Sequence, residues 1–531
     1  MMKGILTRFL AVVAGFAIGI HAQCPNYAQY SQQVHEPLST GRYALPYQRP
    51  SPECRTFNSS IVEETITRMA TIIKDPDLFR LFENSFPNTL DTAVKWRGVA
   101  ADNSAEELTF LITGDINAMW LRDSANQMQS YLSLVQASDS KDSLASLYRG
   151  VINLQARYIL QAPFCNSFQP PVESGIGPSQ NQQNPDIFTP PVPTSIAFEC
   201  KYELDSLAAF LEISTNYYEA TGDLEFFRKF KWVETIKTIL NTTESLLIGT
   251  YARDGSVNTI PYTWKRNTDS ATETLDNNGR GNPVLEGTGL VRSAFRPSDD
   301  STIFQLFIPA NMMFSRYLDT TSEIMAQIGD QRNLANHMHN FAQRIREGIT
   351  QHGIVNHPKF GQIYAFEVDG YGSQNIMDDA NIPSLLSAPF FGYTNTSDPI
   401  YQNTRKMILS PYNPYYMKGP VISAVGGPTQ LIFHLAHAGL GLAWPMSSII
   451  QIFTTSSTSE IKDYLHQILS SADGLGLIHE SVNSFDAKKW TRQWFSWANG
   501  LFGQCLLDLE KRGLGGVLGA SFQGGYGRLF G

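Results

Sequence analysis

The sequence is poor in charged residues, and neither sign is concentrated in one region. Only 17% of its 531 residues are charged, and 40 Lys and Arg stand against 49 Asp and Glu, a formal net charge of −9. Nucleic-acid binding requires clustered Lys and Arg to neutralise phosphates, so no nucleic-acid partner is predicted. Hydrophobic residues make up 42%, which excludes a disordered chain and predicts a large core.

Several common catalytic motifs are also missing. There is no GxxxxGK[ST] loop for phosphate binding and no GxSxG turn for a nucleophilic serine. The string that starts at His479 and Glu480 has Asn483 where the second histidine of HExxH would stand. None of these three chemistries is therefore predicted.

A long membrane-spanning run is absent, but a short apolar run lies near the N-terminus. Residues 9–20 form twelve consecutive apolar residues, fewer than the ~20 needed to cross a bilayer. Lys3 and Arg8 precede this run, and the small Ala22 follows it. We predict a signal peptide over residues 1–22 and a secreted protein. The alternative is an uncleaved signal that anchors the chain in a secretory compartment.

The chain has only five cysteines, an odd number that leaves at least one thiol without a partner in the same chain. We expect the bridges Cys24–Cys54 and Cys165–Cys200, because each pair flanks a proline-containing irregular stretch. Three sequons also fit an exported protein. They predict N-glycosylation at Asn58, Asn241 and Asn395.

Helical periodicity is common along the chain, whereas sustained strand alternation is rare. In residues 140–162, apolar residues such as Leu147, Val151 and Leu154 recur at spacings of three and four, which buries one helix face. Such patterns predict about twelve helices, at 60–83, 117–136, 140–162, 203–221, 224–247, 302–327, 330–350, 376–387, 400–409, 440–454, 457–471 and 488–511.

This number of helices suits an all-α toroid, in which six inner helices are surrounded by six outer ones. A two-domain helical bundle would have the same number. One connection stands out, because residues 163–193 hold eight prolines. Long loops of this kind are functional or disordered. We interpret its middle as a surface insertion and expect its base to form a wall of the functional site.

Five polar clusters combine carboxylates, arginine and tryptophan with apolar neighbours. A single cluster is explained by a helix cap with solvated charges, and Ser298–Asp300 is good capping chemistry. Five clusters are harder to explain in this way, because charged groups are costly to bury unless they are paired. The clusters lie at 114–124, 199–206, 296–300, 377–384, and 479–481 with 492–499.

Together these residue types provide what a carbohydrate site needs. Carboxylates and arginine form paired hydrogen bonds with vicinal hydroxyls, and tryptophan and tyrosine rings stack on a pyranose. Glycoside hydrolysis commonly uses two carboxyl groups, one as acid and one as base or nucleophile. The residues by themselves leave Glu199, Glu203 and Asp205 open as the acid.

The clusters resemble glycoside hydrolase family 125, the exo-α-1,6-mannosidases. The matching strings span about residues 110–503 and include GDINAMWLRDSANQ, KYELDSL, FRPSDD, EVDGYG, MDDANIPSLL, HESV and TRQWFSWANGLF. The resemblance implies one (α/α)6 catalytic domain over residues 23–531, with a proline-rich insertion at 163–193. It also implies inverting hydrolysis of terminal α-1,6-linked mannose from mannan or N-glycan-type oligosaccharides, without a cofactor or catalytic metal.

By this resemblance Asp205 is the general acid and Glu480 the general base. Asp205 lies beside Leu204 and Leu207, and burial raises a carboxyl pKa, as an acid requires. Inversion implies a separation of ~6.5–9.5 Å between the two carboxyl groups. The further residues expected to bind or enclose the sugar are Asp115, Trp120, Arg122, Asp123, Glu199, Lys201, Arg296, Asp299, Asp300, Asp378, Asn381, His479, Arg492 and Trp494.

One segment departs from the family pattern. The family has a Gly-Ser-Pro-His string before the Trp-Pro of the next helix, whereas here Thr429 follows Gly426, Gly427 and Pro428. This predicts a changed sugar contact in that loop. The alternative functions are a toroidal glycosidase with another α-linkage preference, or a mannose-binding protein without catalysis.

Overall fold

The computed structural model describes residues 24–180, 186–428 and 439–523. The predicted signal peptide at 1–22 and Thr429 lie outside these ranges. Within them are twelve helices of nine or more residues: α1 Ser60–Ile72, α2 Pro76–Ser85, α3 Leu121–Gln129, α4 Leu144–Gln161, α5 Leu204–Thr221, α6 Trp232–Ser245, α7 Ile308–Ala326, α8 Arg332–Gly348, α9 Pro399–Ile408, α10 Pro445–Phe453, α11 Thr458–Ser470 and α12 Ser496–Lys511.

Most helices fall where the apolar periodicity predicts them. The helix predicted at 224–247 is interrupted between Phe227 and Trp232, and the one predicted at 488–511 begins only at Ser496, because residues 488–491 belong to the strand Asp486–Thr491.

Two further predictions differ from the structure. The predicted helix at 60–83 is two helices, because Pro76 starts α2 and Asp75 caps it by accepting from the N–H groups of Asp77 and Leu78. The prediction of a helix at 376–387 is wrong. Residues there form turns, and the Asp378 carboxylate accepts from the backbone N–H groups of residues 385 and 386, each at 2.9 Å.

The helices form an (α/α)6 barrel. In the inner ring α3 packs on α5 and α5 on α7, while α10 packs on α12 and α12 returns to α3. The remaining inner position, between α7 and α10, is occupied by the turn-rich residues 383–393. Phe390 of this segment packs on Phe453 of α10 with ring centroids 4.7 Å apart, and Gly392 lies beside Arg316 of α7. The outer positions belong to α2, α4, α6, α8, α9 and α11.

The strands are short and lie in the connections between helices. Within the described ranges they form seven small antiparallel sheets. In the order of pairing these are Val94–Val99 and Glu107–Leu111; Met119–Trp120, Ser167–Phe168 and Ala197–Glu199; Ile187–Thr189 and Thr263–Lys265; Gln374–Asn375, Glu367–Val368 and Leu306–Phe307; Gly361–Tyr364 and Ile354–His357; Tyr416–Lys418 and Ser423–Val425; and Leu442–Ala443, Ser481–Asn483 and Asp486–Thr491.

The apolar core and the disulfides hold the connections onto the ring. A single large cluster of buried apolar side chains runs from Tyr27 to Phe522. Both expected disulfides, Cys24–Cys54 and Cys165–Cys200, are present. Cys505 is buried in α12 and is not part of a disulfide.

Inside the inner ring, a buried carboxyl group joins α5 to α7. Glu212 is 3% exposed, and the Tyr317 hydroxyl donates to its Oε1 at 2.9 Å. Burial raises the pKa of Glu212 to about 7, and the bond from Tyr317 acts in the opposite direction. A carboxyl pKa above its ordinary value of 4.5 means that the folded chain binds this proton more tightly than the unfolded chain does.

The raised pKa of Glu212 predicts that the free energy of unfolding depends on pH. Between about pH 4.5 and 7 the unfolded chain releases the proton first, so Glu212 lowers the free energy of unfolding as the pH rises, by up to ~3 kcal/mol. We expect Glu212→Gln to match the wild type near pH 4 and to be more stable at pH 8. Urea denaturation at several pH values measures the difference. The exposed Glu219 on the same helix supplies the control, Glu219→Gln, and parallel pH curves for all three proteins would contradict the expectation.

Candidate active site

A cavity of about 1080 Å³ opens at the end of the barrel where the inner helices begin. Its walls come from the connections that lead into those helices. The segment before α3 and the first turn of α3 contribute lining residues from 113–123, and the segments before α5 and α7 contribute residues from 198–201 and 297–299. The segment before α12 contributes 488–497 together with Glu480. The ring therefore brings together four regions that are far apart in the sequence.

Glu480 lines the cavity and is held by two donors. Arg492 Nη1 donates to its Oε1 at 3.1 Å, and the Thr491 hydroxyl donates to its Oε2 at 3.2 Å. The residue is 4% exposed. Each carboxylate oxygen has one fixed partner and keeps a further lone pair directed elsewhere, which is the arrangement needed to hold and activate a water.

Arg492 connects Glu480 to the segment before α3. Its Nε donates to Asp115 Oδ1 at 2.8 Å, and its Nη2 donates to Thr113 Oγ1 at 3.1 Å. Arg492 has φ 43°, in the left-handed region that costs a non-glycine residue about 1–3 kcal/mol. The backbone next to Arg492 is closely packed against residue 114, because a Cβ on Gly114 would lie 2.1 Å from the Trp494 carbonyl oxygen. Only glycine permits this approach.

Asp299 lines the cavity from the segment before α7. It occupies a tight turn in which Arg296 N–H donates to the Asp300 carbonyl at 2.8 Å, and it adopts φ 64°. The Asn166 amide donates to Asp299 Oδ1 at 3.3 Å. In the six-position ring, α7 and α12 are three places apart. Asp299 and Glu480 are thus carried on opposite sides of the barrel.

The structure contradicts the assignment of the general acid to Asp205. Asp205 is fully buried in the first turn of α5 and does not line the cavity. Arg122 does line it, and Arg122 Nη1 donates to Asp205 Oδ2 at 3.0 Å and also bonds Glu203. Burial raises the pKa of Asp205, as expected, but a proton donor must also reach the glycosidic oxygen. Asp205 contacts Arg122, which lines the cavity, but does not reach the cavity itself.

Asp123 lies deep in the cavity between the charged groups. It is 5% exposed, and burial raises its pKa to about 6 against the opposing charges of Arg122 and Arg492. The carboxylates of Asp299 and Glu480 lie near enough to raise it further. Asp123 therefore lies close to both Asp299 and Glu480.

A buried ion pair and a disulfide form the wall before α5. Lys201 Nζ lies 3.2 Å from Glu199 Oε1, and both line the cavity. Burial raises the pKa of Glu199, and the nearby Lys201 opposes the rise. Asn166 donates to Glu199 Oε2 at 3.4 Å and accepts from the Lys201 N–H at 3.0 Å. The Cys165–Cys200 disulfide joins the residues next to them, so it fixes this group covalently.

Four other predicted sugar-binding residues do not line the cavity, and those predictions are wrong. Arg296 is 1% exposed and donates to Glu367 Oε1 at 2.6 Å, beneath the turn that carries Asp299. Asp378 caps the turn segment of the inner ring, as described above, and burial raises its pKa to about 8. Asp300 and His479 are also buried beneath the surface of the cavity.

Aromatic rings cover much of the cavity wall. Trp120 packs edge-on against Phe198, with centroids 5.5 Å apart, and both line the cavity. Trp490 stacks on His479 at 4.5 Å, and burial lowers the pKa of His479 to about 3. The neutral imidazole thus supports a lining tryptophan and does not contact the space itself.

Of the sixteen residues predicted for the site, eleven line the cavity: Asp115, Trp120, Arg122, Asp123, Glu199, Lys201, Asp299, Asn381, Glu480, Arg492 and Trp494. Sequence reasoning missed Asn166, Phe198, Trp444 and Trp490. The position of Asn166 next to Cys165 was a usable signal, since a disulfide there leads directly to Glu199. In the part of the chain that the structure describes, no group of three or more His, Cys, Asp or Glu is placed to hold a metal ion.

Comparison with known proteins finds a family model described as metal-independent alpha-mannosidase (GH125), which matches residues 75–507. The meiotically up-regulated gene 157 protein of Schizosaccharomyces pombe is 48% identical over 491 residues, which are 92% of this chain and 93% of that protein.

A solved structure is also similar. It is a metal-independent alpha mannosidase of Streptococcus pneumoniae, in a non-productive complex with alpha-1,6-mannobiose, from a family associated with the processing of N-linked glycans. The two structures superpose with a TM-score of 0.72 at 33% sequence identity, over 85% of this chain and 99% of the bacterial chain.

Proposed function

The chain belongs to the metal-independent α-mannosidases of family GH125, and we propose that it is an exo-acting enzyme that removes terminal α-1,6-linked mannose with inversion. As a member of this family it is a glycoside hydrolase. The observation that carries the finer proposal is that Asp299 and Glu480, which precede inner helices three places apart in the ring, both line one cavity. The α-1,6-mannobiose bound by the pneumococcal relative supports the linkage.

In the proposed mechanism Asp299 is the general acid and Glu480 the general base. Glu480 takes a proton from a water that attacks the anomeric carbon, while Asp299 protonates the departing glycosidic oxygen on the other face. Direct displacement by water inverts the anomeric centre. Asp123, whose pKa burial raises to about 6, is another carboxyl group that lines the cavity. It lies in the first turn of α3, which packs on α12, the helix that follows the segment carrying Glu480.

The depth of the residues supports an exo-acting enzyme. Arg122, Asp123, Glu199 and Lys201 are buried at the bottom of the cavity, where they can form charge-assisted hydrogen bonds with the hydroxyls of one terminal sugar. Asp299 is half-buried and so lies nearer the mouth, where the bond to the leaving group must be.

Substitution of each carboxyl group tests these roles. We expect Asp299→Asn and Glu480→Gln each to lower kcat/KM for α-1,6-mannobiose by ~10²–10⁴-fold. A 2,4-dinitrophenyl α-mannoside departs without a proton, so Asp299→Asn should retain much more of its activity on that substrate, whereas Glu480→Gln should not. Steady-state kinetics on both substrates measure the difference.

Asp205→Asn and Asp123→Asn are the matched comparisons. Both remove a carboxyl group near Arg122, and neither should show selective rescue by the activated leaving group. Selective rescue of Asp205→Asn, together with unchanged mannobiose hydrolysis by Asp299→Asn, would restore Asp205 as the acid and overturn our assignment.

The products of hydrolysis test the linkage preference of the enzyme and the stereochemistry of the reaction. We expect release of mannose from α-1,6-mannobiose and much slower release from α-1,2- and α-1,3-mannobiose. NMR of the first product should show β-mannose before mutarotation, and α-mannose first would contradict inversion. Preferred hydrolysis of α-linked glucobioses would favour a toroidal glycosidase of other linkage preference, and mannoside binding without turnover would favour a mannose-binding protein.

We also propose that the protein is a secreted glycoprotein. The sequence of residues 1–22 supports this, and Asn58, Asn241 and Asn395 of the three sequons are all exposed. Two disulfides fit an oxidising compartment. Across the described ranges, none of the helices has the length and apolar character needed to span a membrane.

Expression in a eukaryotic secretory host tests this proposal. We expect mature protein in the medium that begins near Gln23 and loses mass when N-glycans are removed enzymatically. Mass spectrometry of the intact protein measures both properties. An Asn58→Gln, Asn241→Gln and Asn395→Gln triple variant is the control that should show no such loss. Retention of residues 1–22 on a membrane-bound protein would instead support the anchored alternative.

A further inference from the structure

A segment that precedes the family match forms part of the cavity wall. We call residues 24–50 the N-terminal strap; the match to the family begins only at residue 75. The strap begins at the Cys24–Cys54 disulfide and contains the one-turn helix Tyr27–Tyr30. The Asn26 side chain caps this turn by accepting from the N–H of Ala28 at 3.0 Å.

The strap is fixed to the barrel by buried polar contacts. The Arg49 side chain is 3% exposed, and its Nε donates to Asp91 Oδ2 at 2.7 Å. The Gln48 amide donates to the carbonyl oxygen of Leu475 at 2.9 Å, and the Gln48 N–H donates to Asn84 Oδ1 at 2.9 Å. Buried hydrogen bonds of this kind are costly to break, so the strap is a permanent part of the wall.

The strap reaches the active site through the turn at Tyr27–Tyr30. The ring of Tyr27 packs edge-on against Trp494, with centroids 4.9 Å apart, and its hydroxyl donates to the Gln48 carbonyl at 2.8 Å. Ala28 and Gln32 line the cavity itself. This one turn therefore supports a lining tryptophan and contributes surface of its own.

The strap residues lie at the mouth of the cavity. Gln32 is exposed, as is Lys488 on the strand Asp486–Thr491, whereas the lining residues Arg122 and Asp123 are buried at the bottom. The volume of about 1080 Å³ exceeds the ~300–1,000 Å³ of typical small-ligand pockets, which leaves room beyond one terminal sugar. An exo-acting enzyme directs the rest of its substrate outward through this mouth.

We propose that the N-terminal strap forms a distal subsite for the leaving-group side of the substrate, and that it makes the enzyme prefer mannosides longer than two sugars. This inference rests on the proposed exo-mannosidase function. Gln32 Nε2 donates to the Ala28 carbonyl oxygen at 3.1 Å, which positions the amide. Its second N–H and its Oε1 can exchange hydrogen bonds with sugar hydroxyls, and the Ala28 side chain supplies apolar surface beside it. A disaccharide ends before this region, whereas a tri- or tetrasaccharide extends into it.

Chain-length dependence of the kinetics tests the subsite. We expect the wild type to have a higher kcat/KM for linear α-1,6-mannotetraose than for α-1,6-mannobiose. Gln32→Ala should lower the tetraose-to-biose ratio about three- to tenfold, the size expected for one lost hydrogen bond, and leave the value for mannobiose unchanged. Ala28→Trp should lower the ratio further, because the indole would fill the mouth.

Gln29→Ala is the matched control, because Gln29 is exposed on the same turn and does not line the cavity. Its ratio should equal that of the wild type. Circular dichroism and the mannobiose kinetics identify any variant that fails to fold. Equal ratios in the wild type and in all three variants would overturn the proposal.

A binding experiment keeps this test separate from the proposed catalysis. In the Glu480→Gln background, calorimetry compares the Kd values of mannobiose and mannotetraose with and without Ala28→Trp. Tighter binding of the tetraose that Ala28→Trp abolishes supports the subsite, even if the hydrolytic proposal fails. Equal Kd values for the two sugars would reject the subsite, even if mannobiose is hydrolysed as proposed.

Discussion

The guanidinium group of Arg492 is the interaction on which the site depends, because it closes the ring of inner helices at the cavity. It bonds Asp115 and Thr113 ahead of α3, and Glu480 ahead of α12. These segments are more than 360 residues apart in the chain, and backbone contact between Gly114 and Phe495 runs beside them. The planar fork of arginine suits this task, since one side chain can satisfy several acceptors in fixed geometry. The same contact that completes the fold therefore orients the proposed base.

Carboxyl groups at this site divide into two kinds according to depth. Asp205 and Glu203 lie behind Arg122 and keep its guanidinium in place at the cavity surface. Asp299 and Glu480 reach the space itself and come from opposite positions of the ring. Burial alone is therefore a poor guide to catalytic role, since an acid needs both a retained proton and access to the reacting oxygen. Most of the buried acidic residues therefore hold other side chains in place, and only a few carboxyl groups reach the cavity.

The connections, and not the helices, account for what distinguishes this cavity. The disulfide Cys165–Cys200 fixes Asn166 between Glu199 and Asp299, at the base of the proline-rich segment. Ser179 of the same segment lines the cavity, as does the turn of the N-terminal strap. Covalent links at both places reduce the freedom of long loops that a helical barrel would not otherwise restrain. Binding loops held on a rigid scaffold are a common way to vary specificity without changing the fold.

Patterns in the sequence were enough to predict most helices, the polar clusters, both disulfides and Glu480 as a residue of the cavity. These follow from local rules: apolar periodicity, the cost of burying unpaired charge, and the matching motif strings. The packing of distant segments places Asp299 at the cavity and Asp205 behind Arg122, because one turn of a helix or a left-handed backbone angle sets where a carboxyl group points. The same packing brings the N-terminal strap to Trp494. Such placements depend on packing between distant segments, which no local pattern encodes.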